Sequence, residues 1–90
     1  MKVKRIELTG SLTPVEFPTK SGRWLVKNFS EDFVYASFKS NATEEEMVKI
    51  APGMGQVVIE NENKGVYEHV HREIYIKGTG EVEVQQLCYR

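Results

Sequence analysis

The sequence has few of the features that mark secreted, membrane-bound and nucleic-acid-binding proteins. Its single cysteine, Cys88, has no partner for an internal disulfide, so we expect a fold that is stable without crosslinks in a reducing cytoplasm. The basic start of the chain is not followed by an apolar stretch, which predicts neither a signal peptide nor a transmembrane span. Basic residues are not in excess, because 12 Lys and Arg face 13 Asp and Glu. This balance argues against nucleic acid or an anionic membrane as a partner.

The chain does contain enough apolar residues for one core. Ninety residues, 40% of them hydrophobic, predict a single domain over residues 1–90. Short apolar runs are separated by turn residues at the spacing of an all-β protein rather than of alternating strands and helices. We therefore expect an all-β fold, a small antiparallel β-sandwich of the jelly-roll-like or Ig-like kind.

The expected strands are runs of β-branched and aromatic residues bounded by turn signals. They cover residues 3–8, 23–27, 33–38, 47–50, 56–60 (a buried strand), 66–71, 73–77 and 81–87. Residues 14–22 contain two prolines and are expected to form a loop. Thr43 and Glu46 match a capping box, which allows one helical turn near residues 43–49. A strand is favoured from Met47 onward because a Pro-Gly turn ends any helix soon afterwards.

The clearest structural pattern lies near the C-terminal end. Apolar and polar residues alternate over residues 73–77 and again over residues 81–87. Period-2 patterning on both sides of a Gly-containing turn predicts a β-hairpin around Gly78 and Gly80.

His69 and His71 are the residues that most suggest a functional site, namely a metal-binding site. Residues i and i+2 of a strand project from one face, so both imidazoles are able to reach one metal ion, with Glu73 as a nearby carboxylate. The stretch from His69 to Val84 resembles the first motif of the cupins, and this resemblance implies a minimal metal-binding β-barrel. Its spacings are shorter than in that motif, and no second motif follows. The favoured interpretation is a solvent-facing histidine pair on an edge strand, without a bound metal or cofactor.

No pairing of a nucleophile with a base is readable. Ser37, Ser40 and Thr43 have no histidine at a spacing typical of a catalytic pair. The Gly-Met-Gly of residues 53–55 lacks the third glycine of a dinucleotide site. We therefore expect no enzymatic activity. Aromatic residues on a sheet face leave a carbohydrate- or peptide-binding module as a further alternative.

Three residues are candidates for contacts with other protein subunits: Tyr75, Leu87 and Tyr89. Tyr75 lies among charged residues on the outward side of the expected hairpin, and the tail stays apolar nearly to its last residue. We expect this tail to be tied down on its own sheet or against a neighbouring subunit. The free edges of a small sandwich are natural docking sites, which favours a homo-oligomer.

Four stretches follow one another along the chain: a strand with a polar Asn-Ser turn (residues 24–30), an aromatic strand (33–37), a strand with a Pro-Gly turn (47–53) and a closing Gly turn (73–84). In this order they resemble the small β-sandwich proteins encoded in the structural-gene clusters of tailed bacteriophages and prophages. The resemblance implies a non-enzymatic virion structural or accessory protein, such as a capsid-decorating, head-fibre or tail-associated module. It implies protein subunits of the particle as partners, a cytoplasmic location during expression and a final place in the virion.

Overall fold

A computed structural model describes residues 2–59 and 70–89, the last two of them by their backbone alone, and confirms the all-β fold. The elements in chain order are β1 (Lys2–Thr9), β2 (Thr13–Asn28), β3 (Val34–Ser37), a 3-10 turn (Glu44–Glu46), β4 (Val48–Ile50), β5 (Gly55–Ile59), β6 (His71–Lys77) and β7 (Thr79–Tyr89). All strand pairs are antiparallel, in the order β1-β7-β2-β6-β3-β4, with β5 beside β2. The sheet curls so that its two halves enclose one core, as in a small β-sandwich. Within the part of the chain that the structure describes, no helical segment has the length and apolar character needed to cross a membrane.

Strand β2 joins the two halves of the sheet. Its first part pairs with β6, and its second part lies between β5 and β7. The buried positions are odd-numbered as far as Ser21 and even-numbered from Gly22 onward. Register shifts in the pairing with β6 and β7 fall in the same region, between Glu16 and Trp24. Such an irregularity bends a strand, so one continuous strand is able to serve both layers.

The expectation of a loop over residues 14–22 is therefore wrong. Pro14 and Pro18 are both exposed members of β2. From Thr13 to Glu16 the only described neighbour of β2 is β6, which leaves one edge of the strand without ladder hydrogen bonds. Proline is tolerated in a strand at such an edge.

The C-terminal corner is not the expected hairpin. β6 pairs with β2 and β3, whereas β7 pairs with β1 and β2, so that β2 separates the two strands. The alternation expected on each strand is correct, since Ile74, Ile76, Val82 and Val84 are all fully buried. Alternation reports which face of a strand is buried, but it does not identify the strand that lies alongside.

The core is built around Trp24, which is fully buried. Its ring meets Phe17 and Phe38 edge-on, with centroids 5.4 and 6.0 Å away, and its Nε1–H donates to the carbonyl oxygen of Ser21 at 2.9 Å. Edge-on contacts are a favourable geometry for aromatic rings, and the hydrogen bond satisfies the buried indole nitrogen. The aliphatic residues of the core are Leu8, Val15, Val26, Val34, Ala36, Ile50, Val58, Ile74, Ile76, Val82 and Val84.

The sequence allowed either a helical turn near residues 43–49 or a strand from Met47 onward, and the structure contains both a 3-10 turn and a strand there. The 3-10 turn is closed by Glu46, whose Oε1 accepts hydrogen bonds from the backbone N–H and the hydroxyl of Thr43 at 3.0 and 3.1 Å. These two bonds favour the ionised carboxylate and lower the pKa of Glu46. The predicted strand follows directly as β4. Of the strand predicted over residues 66–71, residues 66–69 lie outside the described residues, and His71 instead begins β6 without a break before Glu73.

Candidate functional site

The three predicted metal ligands stand in different surroundings. His69 lies outside the described residues. His71 is half-buried and stacks on Phe38, with ring centroids 4.2 Å apart, while the Glu73 carboxylate accepts a hydrogen bond from the Tyr75 hydroxyl. The expectation that His71 faces solvent on an edge strand is wrong, because its ring is half-buried against Phe38 and β6 pairs with both β2 and β3. Among the described residues, no group of three His, Cys, Asp or Glu is placed to hold a metal ion.

The predicted interaction residues are also dispersed. Tyr75 is half-buried, and its hydrogen bond to Glu73 raises the pKa of the phenol. Leu87 is 40% exposed on β7. The side chain of Tyr89 lies outside the described part of the chain, but its backbone is paired with Ser21. The tail is therefore tied to its own sheet, one of the two outcomes expected for it.

A pocket of about 210 Å³ opens beside the loop that connects β3 to β4. Its charged lining residues are Lys39 and Glu46. Since Thr43 already binds the Glu46 carboxylate and lowers its pKa, this group is ionised at neutral pH and is not tuned to exchange protons there. The pocket therefore gives no reason to assign acid–base chemistry.

The outer face of the half-sheet formed by β1, β7, β2 and β5 carries a cross-strand row of side chains that is apolar except for the glutamine of β7. Cross-strand pairing places Val3, Gln85, Leu25 and Val57 side by side, one from each strand. Val3 and Val57 are 44% and 47% exposed, and Leu25 is half-buried. Ile59, two residues further along β5, is 43% exposed. We call Val3, Leu25, Val57 and Ile59 the outer apolar strip. Single exposed apolar residues are ordinary on a protein surface, but a row across a sheet is typical of an interaction site.

A charged row runs beside the outer apolar strip and is centred on Glu83. The Glu83 side chain is only 10% exposed, and it lies between Arg5 on β1 and Lys27 on β2. Its Oε1 accepts from Arg5 Nε at 3.0 Å, and its Oε2 accepts from Gln85 Nε2 at 2.9 Å and lies 3.4 Å from Lys27 Nζ. The hydrogen bonds from Gln85 and Arg5 are the main reasons why the pKa of Glu83 is lowered.

We expect the Glu83→Gln variant to be less stable than the wild type at neutral pH and equally stable in strong acid. The pKa of Glu83 in the folded protein lies below its usual 4.5, so the ionised carboxylate stabilises the fold above that value. This contribution is lost as the pH falls through the folded-state pKa. Thermal unfolding followed by circular dichroism, from neutral pH down to about pH 2, measures the difference.

The matched control for Glu83→Gln is Glu81→Gln on the same strand and face. Glu81 is exposed and lies opposite Glu7 on β1, so its neutralisation should not lower stability at neutral pH. A difference between wild type and Glu83→Gln that stays constant across the pH range would contradict the role given to the ionised Glu83.

Sequence reasoning missed the outer apolar strip because the relevant residues are far apart in the chain. The run Val57-Val58-Ile59 indicates a buried strand, yet only Val58 is buried. Val57 gains its apolar cross-strand neighbour Leu25 only through pairing with β2, whereas Ile59 lies opposite Arg23. Comparison with known proteins adds no family to this picture: no protein-family model, no curated protein and no solved structure matches the chain.

Proposed function

We propose that this protein is a non-enzymatic assembly module that docks the outer face of its sheet against other protein subunits. The observation that carries the proposal is the outer apolar strip, which lies exposed on a regular sheet face. The charged row beside the strip includes an arginine and an internally compensated carboxylate. An apolar patch bordered by satisfied polar groups is the composition of many protein–protein interfaces.

The proposed setting is a tailed-phage or prophage-derived particle, because the order of elements resembles that of its small β-sandwich proteins. In that setting the protein is a virion structural or accessory part, and its partners are copies of itself and other protein subunits of the particle. This part of the proposal rests on the resemblance alone. The docking face rests on the geometry and is tested separately.

The energetics of the outer apolar strip suit repeated rather than isolated contacts. Complete burial of one aliphatic side chain contributes about 1.5–3 kcal/mol, and the strip has about half of that available at each of its exposed positions. The resulting few kcal/mol do not exceed the cost of bringing two molecules together, which is about 4–15 kcal/mol. Subunits of a particle make many such contacts at once, so weak individual contacts are sufficient there.

We expect Val57→Glu to reduce self-association of the purified chain. A carboxylate at position 57 would have to be buried when the outer apolar strip docks, and burial of an unpaired charge is strongly unfavourable. Sedimentation velocity over a range of protein concentrations should show that assemblies larger than a dimer require about tenfold more protein than the wild type does.

The matched control for Val57→Glu is Val70→Glu. Val70 is similarly exposed, at 39%, but it precedes β6 and is not part of the outer apolar strip. Its substitution should leave association unchanged. Equal association of the two variants would exclude the strip as the docking surface. A wild-type chain that stays monomeric at every concentration would exclude the homo-oligomer.

A further inference from the structure

Strand β1 borders the sheet, and its outer edge offers backbone hydrogen-bonding groups. It pairs with β7 from Lys2 to Thr9, and no other described strand lies along its second edge. The N–H of Gly10 donates to the carbonyl of Gly78 at 2.8 Å, in register with that pairing. Antiparallel ladders alternate, so the even-numbered residues of β1 bond to β7 and the odd-numbered residues direct their N–H and C=O groups outward. This edge is a template for a further strand.

On the outer face of the sheet, a negative charge on β1 faces another negative charge on β7. Glu7 lies directly opposite Glu81, and both residues are exposed. Within the described residues, neither of these two carboxylates forms an ion pair. Like charges opposite each other in an antiparallel pair are destabilising. Arg5, two residues earlier on the same face, uses its Nε for Glu83 but remains 62% exposed.

We propose that β1 pairs antiparallel with β1 of a second copy of this chain, about a two-fold axis at Ile6. The inference rests on the proposed assembly function and names one interface of it. Arg5 of each copy then lies opposite Glu7 of the other, and the two half-buried Ile6 side chains lie opposite each other at the axis. Glu7 gains a cation that the described part of its own chain does not place beside it. The interface is isologous, as in most dimers of identical chains.

Charge favours this register over the others whose axis lies near the middle of β1. Because only odd-numbered residues direct their backbone groups outward, a two-fold axis must pass through a residue rather than between two. Axes at Lys4, Arg5 or Glu7 would place each of these charged residues opposite its own copy. The axis at Ile6 instead pairs opposite charges on both sides of an apolar centre.

The pairing would also extend the surface of the proposed function. The charged row would continue from Lys27, Glu83 and Arg5 of one copy to Glu7 of the other, with the sign alternating at each step. The two outer faces would become one face of a continuous sheet. Val3 of each copy would lie opposite Thr9 of the other, about 20 Å from the second Val3, so the two outer apolar strips would share one face but remain separate.

A disulfide test distinguishes this register from other dimers. In the full chain carrying Cys88→Ser, we expect Ile6→Cys to form an intermolecular disulfide under mild oxidation, since non-hydrogen-bonded antiparallel pairs bring Cα atoms to about 4.5 Å. Lys4→Cys is the matched control on the same face and strand. Residues 4 of the two copies would be about 13 Å apart, beyond disulfide reach. Dimers on a non-reducing gel should form at least about tenfold faster with cysteine at position 6.

A charge test addresses the same contact without a disulfide. Glu7→Arg removes the like-charge pair with Glu81, so the monomer should fold, yet the new arginine faces Arg5 of the other copy. Its dimer dissociation constant should rise about tenfold or more. Mixing Glu7→Arg chains with Arg5→Glu chains restores both opposite-charge pairs, so the mixture should form heterodimers that neither variant forms alone. Because Arg5→Glu also loses the hydrogen bond to Glu83, circular dichroism must first show that this variant is folded.

The outcomes separate this inference from the proposed function. Equal crosslinking at positions 4 and 6, or none at either, overturns the pairing about Ile6. If Val57→Glu still reduces larger assemblies in that case, the docking face stands and only the edge pairing fails. If crosslinking is specific to position 6 but Val57→Glu has no effect, the pairing stands and the docking face fails.

Discussion

The Gly80→Ala variant should unfold at a much lower urea concentration than the wild type, with a loss of about 3–5 kcal/mol in unfolding free energy. Two causes add at this position. Gly80 has a φ of +91°, which residues with a side chain rarely adopt. A Cβ atom there would also lie 2.5 Å from the Cβ and 3.3 Å from the Cα of Ser30, so the loop after β2 would have to move. Equilibrium unfolding followed by tryptophan fluorescence reports the change through Trp24.

The control Gly53→Ala separates backbone strain from the steric clash. Gly53 has a similar φ of +76°, but no atom lies within 4 Å of the position that a Cβ would take. Its substitution should cost only the conformational strain, about 1–2 kcal/mol. If the two variants lose the same stability, the close approach between Gly80 and Ser30 does not limit the fold. The larger loss at Gly80 would show that the corner between β6 and β7 is closed by packing against that loop.

The Asn28→Leu variant should lose about 2–5 kcal/mol of unfolding free energy. Asn28 is fully buried, and its Nδ2 donates to the carbonyl oxygens of Asp32 and Ile50 at 2.8 and 3.1 Å. Its Oδ1 accepts from the N–H and the hydroxyl of Ser30 at 2.9 and 2.6 Å. All four hydrogen-bonding positions of the amide are therefore used. Leucine is of similar size, so the loss would come from buried polar groups left without partners rather than from a cavity.

Chemical denaturation of Asn28→Leu beside Asn41→Leu measures this contribution. Asn41 is exposed in the turn before the 3-10 segment, so its substitution should change stability by no more than about 0.5 kcal/mol. Similar stabilities of the two variants would contradict the role assigned to the buried amide. A selective loss would identify Asn28 as the side chain that ties the loop after β2 to the end of β4.

Most of the strand positions could be predicted because burial alternates locally. The alternation of Val82 and Val84 with polar residues identifies the buried face of β7 from the sequence alone. The capping box of Thr43 and Glu46 is likewise a contact between residues only three apart. Such signals depend on neighbours in the chain, which the sequence displays directly. The strands from residue 34 to 59 agree with the expectation to within a residue or two at each end for the same reason.

The pairing partners could not be predicted, since they depend on contacts between distant residues. Gly78 indicated a hairpin, but the long β2 strand lies between β6 and β7. The change in buried parity at Ser21 and Gly22 allows β2 to bend between the two layers, and no local pattern marks it as a continuous strand through two prolines. The surroundings of His71 could not be predicted for the same reason, because its stacking partner Phe38 directly follows β3, which pairs with β6.

The sequence by itself determined the all-β class, the inward side of each clear strand and the need for glycine at the C-terminal corner. These properties arise from residue size, branching and short-range spacing. Only the tertiary structure decided the order of the strands, and with it the proposed functional surface. Val3, Leu25 and Val57 form a strip, and Glu7 lies against Glu81 while Arg5 lies against Glu83, because strands far apart in the chain pair in one register. Cross-strand register arises from the packing of the whole core, so it appears only when the chain is folded.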